Sequence, residues 1–564
     1  MNTAKHPQTL LHLLVLAAIV LLFTWPVLFN GLPDLSADGI YHAMWARNFS
    51  GQLWQGEWYP RWLSGMTGGL GAPSFFIYPP FGVYVAALFK PLLGEHDPNG
   101  WLMTGWSAAL AGLLSAIAAY FWLRDLTDST AALFGAALYV ISPYRLALNL
   151  YNGGSLAAHW GFVWMPLVLL AVKWCVEGRR RAIPLLALSY GLLVLTHLPT
   201  VLTFSWVIPL AVWFMSEPKQ RIEAFLRTFA GVALGIGFAA IYLLPAMLDQ
   251  SKSWIALVDA DQWFYYRNNF LFIKLVSLLE YRVRVLVLVL SMAASTALFF
   301  WLLRRFDTDS KRRRLALLYF LTGMGSLVMM THLSIPVYEV FKFLQKIQFP
   351  ATRFASALTV SLVATAALAF PFLSSLKTRA VVGMLIIGWI GADVWAASTA
   401  FSAWRRIPEE RAARDRKTLE LQCELFDQWP RPADSMRLSE IPALEAFLAA
   451  HPARSLVQNT VGATADVESW RPRLVAIKVH SPEDGRMTIG HFYYRDWRAH
   501  IQGSGQSAAV TPSPEGLLEV ETPRGDYTLI LELIRDTPEH AGIWISTISL
   551  VLICGLSIRA GVRR

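Results

Sequence analysis

Cysteine is almost absent from this sequence, with 3 in 564 residues. Cys175 and Cys554 fall within apolar runs and Cys423 stands alone, so neither a disulfide framework nor a cysteine-rich metal centre is implied. Charge is also scarce. Asp, Glu, Lys and Arg make up 16% of the chain against 55% hydrophobic residues, and the mean hydropathy is +0.42, which excludes a water-soluble globule of ordinary composition. The net charge of +10 is not a nucleic-acid footprint, because the basic residues gather at the ends of apolar runs, where they set membrane orientation. The polar loops lack HExxH, CxxC, GxSxG and GxxxxGKS/T patterns. Zinc hydrolysis, thiol redox, serine hydrolysis and P-loop ATP use are therefore without support.

What is present is a series of apolar runs approaching the ~20 residues that cross the core of a bilayer. They lie near 10–29, 101–123, 131–149, 155–176, 184–197, 200–215, 225–247, 283–303, 315–331, 355–374, 380–398 and 541–558. The first lacks a small-residue cleavage site and reads as a retained anchor. Basic clusters at Arg179–Arg181, Lys219 and Arg221, Arg304 and Arg305, Lys311–Arg314, Lys377 and Arg379, and Arg559, Arg563 and Arg564 mark one side, expected to be cytoplasmic. A further apolar stretch, 75–93, would put the Arg179–Arg181 triplet on the wrong side if it crossed. It opens with Tyr78-Pro79-Pro80 and ends with Lys90-Pro91, and proline leaves backbone groups that lipid cannot satisfy. Placing it beside the membrane leaves about twelve spans with both termini cytoplasmic.

The character changes at 401–540. RRIPEERAARDRKTLE (405–420) reads as an exposed helix of mixed charge. Short alternating runs follow at 474–480, 486–494, 517–521 and 526–534, separated by SPEDG, GSG, PSPEG and TPRG; this is strand-and-turn chemistry. The expected fold class is an all-α polytopic membrane protein with an outer β-rich domain and a final anchor. The expected division is 1–400 for the transmembrane domain with an outer loop at 30–100, 401–540 for the helix and β-sandwich-like domain, and 541–564 for the anchor and its basic tail.

The densest chemistry lies between Asp34 and Pro80, on the outer side, where Asp34, Asp38, Glu57, His42, Arg47 and Arg61 are mixed with Trp, Tyr, Gly and Pro. Asp38 and His42, at i and i+4, share one face of a short helix. Aromatics among polar residues suit a membrane surface, and an acid there is either a catalytic group or simply solvated. Three more outer clusters could converge with it: Tyr151-Asn152-Gly153-Gly154 with His159; Asp259, Asp261, Tyr265, Tyr266 and Arg267; and His332, Glu339, Lys342, Lys346 and Arg353. Lys342, Lys346 and Arg353 make a basic patch suited either to a substrate phosphate or to anionic lipid. His159 and His197 read either as catalytic or as hydrogen-bonded histidines inside the bundle. Asp259 and Asp261 read as solvated loop residues.

The pattern Asp38-x-x-x-His42, Gly51, Tyr59-Pro60-Arg61-Trp62, Gly69-x-Gly71-x-Pro73 and Tyr78-Pro79-Pro80, with Tyr242-x-x-Pro245 and Gln348-Phe349-Pro350-x-x-Arg353, resembles the bacterial membrane family labelled 6-pyruvoyl-tetrahydropterin synthase-related. That family is similar to YfhO-type membrane proteins and, more distantly, to glycosyltransferases of the GT-C fold; HFYYRDWRAHIQG (491–503) resembles the outer β-domain of YfhO-type proteins. The resemblance implies transfer of a sugar from a polyprenyl-phosphate donor to an envelope glycan or lipid acceptor, on the outer face of the inner membrane. It makes Asp38 the catalytic base, with Asp34 in reserve. His42 would orient Asp38 or the acceptor. Arg61 and Arg353 would hold the phosphate, with Tyr78, His159, Tyr266, Arg267 and Lys346 as further substrate contacts. A divalent cation is allowed but not required, since arginines can neutralise the leaving group. One departure stands out: Asn152-Gly153-Gly154 and His159 occur where the family pattern would have Arg-Gly…Glu. The rival reading is a non-enzymatic transporter or assembly factor for lipid-linked saccharides, which would place ionisable groups in the middle of the spans. An enzyme would instead show Asp38 and Arg353 facing one outer cavity open to lipid.

Overall fold

The computed structural model describes residues 5–253, 262–272, 279–401, 456–459, 462–514 and 516–562. Asp259, Asp261, Cys423 and the charged helix expected at 405–420 lie outside the described residues.

Among the described residues, nine helices are long and apolar enough to cross a membrane, and up to eleven if each of two bent pairs counts as one span. The bent pairs are Pro218–Phe238 with Ala240–Leu248 and Ser310–Met329 with His332–Val340, turning by 72° and 92°. The run expected at 184–197 forms the shorter helix Ala182–Val194; its 13 residues reach about 20 Å, less than the ~30 Å of hydrocarbon. Each expected span therefore has a helical counterpart, but fewer than twelve meet the length. The stretch 75–93 forms only the short helices Ser74–Ile77, Phe81–Leu88 and Lys90–Leu93. Proline explains the breaks, since Pro73, Pro79, Pro80 and Pro91 stand at their ends or starts.

Helices Leu156–Val176 and Pro350–Phe372 form the buried centre of the bundle, while Thr537–Gly561 runs along its rim. The basic clusters meet at one end, where Asp125 pairs with Lys173 at 2.5 Å and Arg179 at 3.2 Å, and Glu217 with Arg314 at 2.9 Å. The opposite end carries the segments that follow Asn30, the breaks at 195–198 and 330–353, and the strands.

Those strands are β1 (Leu456–Asn459), β2 (Thr464–Arg471), β3 (Leu474–Ser481), β4 (Gly485–Phe492), β5 (Trp497–Ile501), β6 (Ser507–Ala508), β7 (Val510–Pro512), β8 (Leu517–Thr522) and β9 (Gly525–Leu533). They pair antiparallel into two sheets, ordered β1-β4-β8-β7 and β2-β3-β9-β5-β6. Alternate residues point inward: Val475, Ile477 and Val479 meet Leu529, Leu531 and Leu533 in one core. That core also contains Trp62, Leu70, Phe76 and Ile77 from the stretch between Asp34 and Pro80. The Trp62 ring stacks on His491 at 5.3 Å, and Phe492 N donates to Leu70 O at 2.8 Å. Arg61 Nε meets Glu539 at 2.8 Å with both side chains 3% exposed, fixing the start of the final helix to the same stretch.

Candidate active site

Helix Gly39–Trp54 begins at Asp38, which occupies the N-cap position but makes no side-chain cap bond. Aspartate is a favoured N-cap because its carboxylate ordinarily accepts from the first free N–H groups; here the carboxylate instead faces a cavity of about 710 Å³. The loop before it is pinned by backbone. Leu35 N donates to Ala400 O, Ala37 N to Asn152 O and Asp38 N to Gly153 O, at 3.0, 3.1 and 2.9 Å. This requires a close approach at Gly154, whose φ is +62° and where a Cβ would lie 2.1 Å from Ser36 Oγ. Ser36 Oγ in turn accepts from Gly39 N at 3.2 Å.

The opposing wall is the π-helical segment Tyr144–Gly153, a form that recurs at functional sites. It turns Tyr144, Asn149 and Asn152 toward the cavity. Arg145 and Asp393 hold it from the protein side. Arg145 Nη1 donates to Tyr139 O at 3.3 Å and Nη2 to Gly112 O at 3.4 Å, while Asp393 Oδ1 accepts from Ala147 N at 3.2 Å. The remaining charge of the cavity is positive. Arg353, Arg282 and Arg284 line it with Asp38, and Asn268 and Asn269 add amides. Arg284 Nη1 reaches Asn152 Oδ1 at 3.4 Å, and Arg282 Nη2 donates to Asn268 O at 3.1 Å and meets Asn269 Oδ1 at 3.3 Å. Arg353 Nη1 stands 3.3 Å from His197 Nε2, whose Nδ1 is 2.7 Å from Thr200 Oγ1. Burial raises the Asp38 pKa above the ordinary carboxylate value, and the nearby Arg353 charge partly offsets this. A single carboxylate with raised basicity thus shares an enclosure with three guanidinium groups.

Of the residues singled out from sequence, Asp38 and Arg353 meet in this cavity together with Tyr151, Asn152 and Gly153, whereas Asp34, His42, Arg61, Tyr78, His159, Tyr266, Arg267 and Lys346 lie outside its lining. His42 is enclosed beside Trp45 and Tyr78, with ring centroids 5.4 and 5.9 Å away. Burial holds its pKa near 3, so it stays neutral. The helix turns Tyr41, not His42, to the cavity. Arg61, expected to hold phosphate, is closed off by Glu539 and by Ile241 O at 2.5 Å. His159 is fully buried within Leu156–Val176. Tyr266 and Arg267 are spent on Glu339, at 2.6 and 2.5 Å. Asp34 is half-buried in the loop, Tyr78 packs on Trp45 at 4.4 Å, and Lys346 is exposed.

Arg282, Arg284, Asn268 and Asn269 were not among the residues picked out. A signal for the two arginines existed: they open a span at the end opposite the basic clusters, against the charge rule that sets membrane orientation.

A family model described as 6-pyruvoyl-tetrahydropterin synthase related domain, membrane protein, matches residues 75–401, more than half of the chain. Curated proteins give no match by sequence. Among solved structures, the chain is similar to the archaeal oligosaccharyltransferase AglB from Archaeoglobus fulgidus in complex with an inhibitory peptide and a dolichol-phosphate. The identity is 13% and the TM-score 0.47, over 77% of this chain and 62% of that one, so this chain spans less than two-thirds of that protein. It is also similar to ArnT from Cupriavidus metallidurans bound to undecaprenyl phosphate (14% identity, TM-score 0.36, 72% and 73% covered). A third is arabinofuranosyltransferase AftD from Mycobacteria (15% identity, TM-score 0.41, 69% and 26% covered). Likeness at this level assigns neither a reaction nor a ligand.

Proposed function

The chain belongs to the 6-pyruvoyl-tetrahydropterin synthase-related family of membrane proteins, and within it we propose an integral membrane glycosyltransferase that moves a sugar from a polyprenyl-phosphate donor to a hydroxyl of an envelope glycan or lipid. The observation that carries this reading is the 710 Å³ cavity in which Asp38 faces Arg282, Arg284 and Arg353. Asp38 takes the proton of the acceptor hydroxyl. The acceptor oxygen bonds to the anomeric carbon as the bond from that carbon to the phosphate oxygen breaks, and the electron pair leaves with the polyprenyl phosphate. The arginines meet the charge that develops on the leaving phosphate, where preorganised donors are most effective. Attack from the side opposite the leaving group inverts the anomeric centre. The cavity lies at the end away from the basic clusters, which supports an active site on the outer, periplasmic face of the inner membrane.

A transporter would use ionisable groups inside the bundle. Arg145 and Asp393 are such groups, but both bond backbone atoms around the π segment, which favours a scaffold role for them.

The test is mass spectrometry of envelope glycans from cells with the wild-type protein, with Asp38→Asn, or without the protein. A general base contributes about 10²–10⁴-fold, so one sugar should be missing both in the deletion and in Asp38→Asn, with the variant present at wild-type level. A sugar lost in the deletion and kept in Asp38→Asn would overturn the reading and favour the non-enzymatic role.

A further inference from the structure

A second cavity, of about 720 Å³, opens at the other end of helix Gly39–Trp54, and no residue lines both cavities. Gly51 stands thirteen residues after Asp38, about 20 Å along the helix axis, so this is a separate site. One wall is the C-terminal half of the helix with Arg47, Asn48 and Gly51; the facing wall carries Lys90; Trp470 at the end of β2 and Pro472 in the turn that follows roof it. The roof is held by the Arg61–Glu539 pair and the shared Trp62 core.

The cavity gathers positive charge without an answering acid. Lys90 Nζ lies 3.8 Å from where a Cβ on Gly51 would sit, and Arg47 is one helical turn earlier on the same face. Arg47 Nη1 is enclosed with no hydrogen-bond partner among the described residues. Neither cation takes part in the ion pairs found among the described residues. Of the two acids in the lining, Asp97 accepts from Met103 N at 2.7 Å as a cap to helix Trp101–Leu126, and Glu95 is exposed. Burial lowers the Lys90 pKa and the Arg47 charge lowers it further; an anion between the two would relieve both costs. The space is far larger than one small anion needs. The Gln55 amide offers donors and an acceptor together, as vicinal hydroxyls require, and the Trp470 indole adds an apolar face; the Asn48 amide is held by Met44 O and Met66 Sδ.

We propose that this cavity binds an anionic saccharide segment, with its acid group between Arg47 and Lys90 and its hydroxyls against Gln55 beside Trp470. The site does not depend on what Asp38 does.

The test is calorimetric titration of the full chain in detergent with trigalacturonate, with maltotriose as the neutral control. Arg47→Gln combined with Lys90→Gln should weaken trigalacturonate binding at least tenfold. Gly51→Phe, which keeps both cations and fills the space, should do the same at an unchanged melting temperature. Asp38→Asn should bind as the wild type does. Raising the salt should weaken the binding. Equal affinity for maltotriose, unchanged affinity in both cavity variants, or no trigalacturonate binding by the wild type would each overturn the proposal. So would competition by inorganic phosphate or by phosphatidylglycerol micelles at the same concentration as trigalacturonate, which would make it a site for a phosphate or a lipid headgroup.

Discussion

The two cavities are nearly equal in volume and share one helix, yet they are built by opposite means. The Asp38 cavity is closed by backbone: span ends and the π segment exchange main-chain hydrogen bonds at 2.9–3.1 Å, and glycine lets them come that close. The Arg47 cavity is closed by side chains and by a β-sandwich clamped through Arg61 and Glu539. Backbone closure fixes a reacting group to a fraction of an ångström, as general-base chemistry demands. A clamped roof fixes only the shape of a space, which suits binding.

The largest effect should come from unclamping the roof. Arg61→Gln leaves Glu539 buried with Arg473 at 2.9 Å as its remaining cation, and breaking a buried pair costs about 3–5 kcal/mol. Thermal melts should show a clear fall. An unchanged melt would mean the clamp is not what holds the β-sandwich down. Next is the backbone closure. Gly154→Ala meets both a left-handed φ and Ser36 Oγ, so about 1–2 kcal/mol of stability should be lost; turnover should fall as Asp38 shifts, with affinity at the Arg47 cavity unchanged.

A third measurement probes the charge around Asp38. As the proposed base, Asp38 would act when ionised, so activity should rise with pH through its folded pKa. Burial lifts that pKa and Arg353 restrains the lift. Arg353→Gln should therefore move the acid limb of the pH–rate profile upward; a limb that stays in place would separate Arg353 from Asp38. The smallest effect is expected at Gly51, where a Cβ would find only Lys90 Nζ at 3.8 Å. Gly51→Ala should stabilise the helix by about 0.5–1 kcal/mol, in contrast to Gly154→Ala.

Spans and strands are legible in the sequence because each depends on a local pattern: an apolar run of membrane length, or alternation between turns. Asp38 is legible because it opens a helix just after the first span. The place of Arg61 is not, because its partner Glu539 lies almost at the other end of the chain. Arg282 and Arg284 read as the fringe of a span, and only their opposition to the charge rule marks them. The π segment is invisible to any search for a 3.6-residue period. His42 follows the helical spacing correctly, but spacing cannot say that aromatic rings enclose it.

The shared core of Trp62 and the β-sandwich also orders events during synthesis. Trp62, Leu70 and Phe76 leave the ribosome before most of the spans, whereas the strand that completes their packing, β9, ends at Leu533. Among the described residues, no segment between Ile77 and β2 contributes to that core. Until β9 has been made, these side chains lack that cover, a long-range closure of the slow and aggregation-exposed kind. Truncation before β9 should therefore leave the N-terminal stretch without its cover, so the quality of the last fifth of the chain is tested by the first.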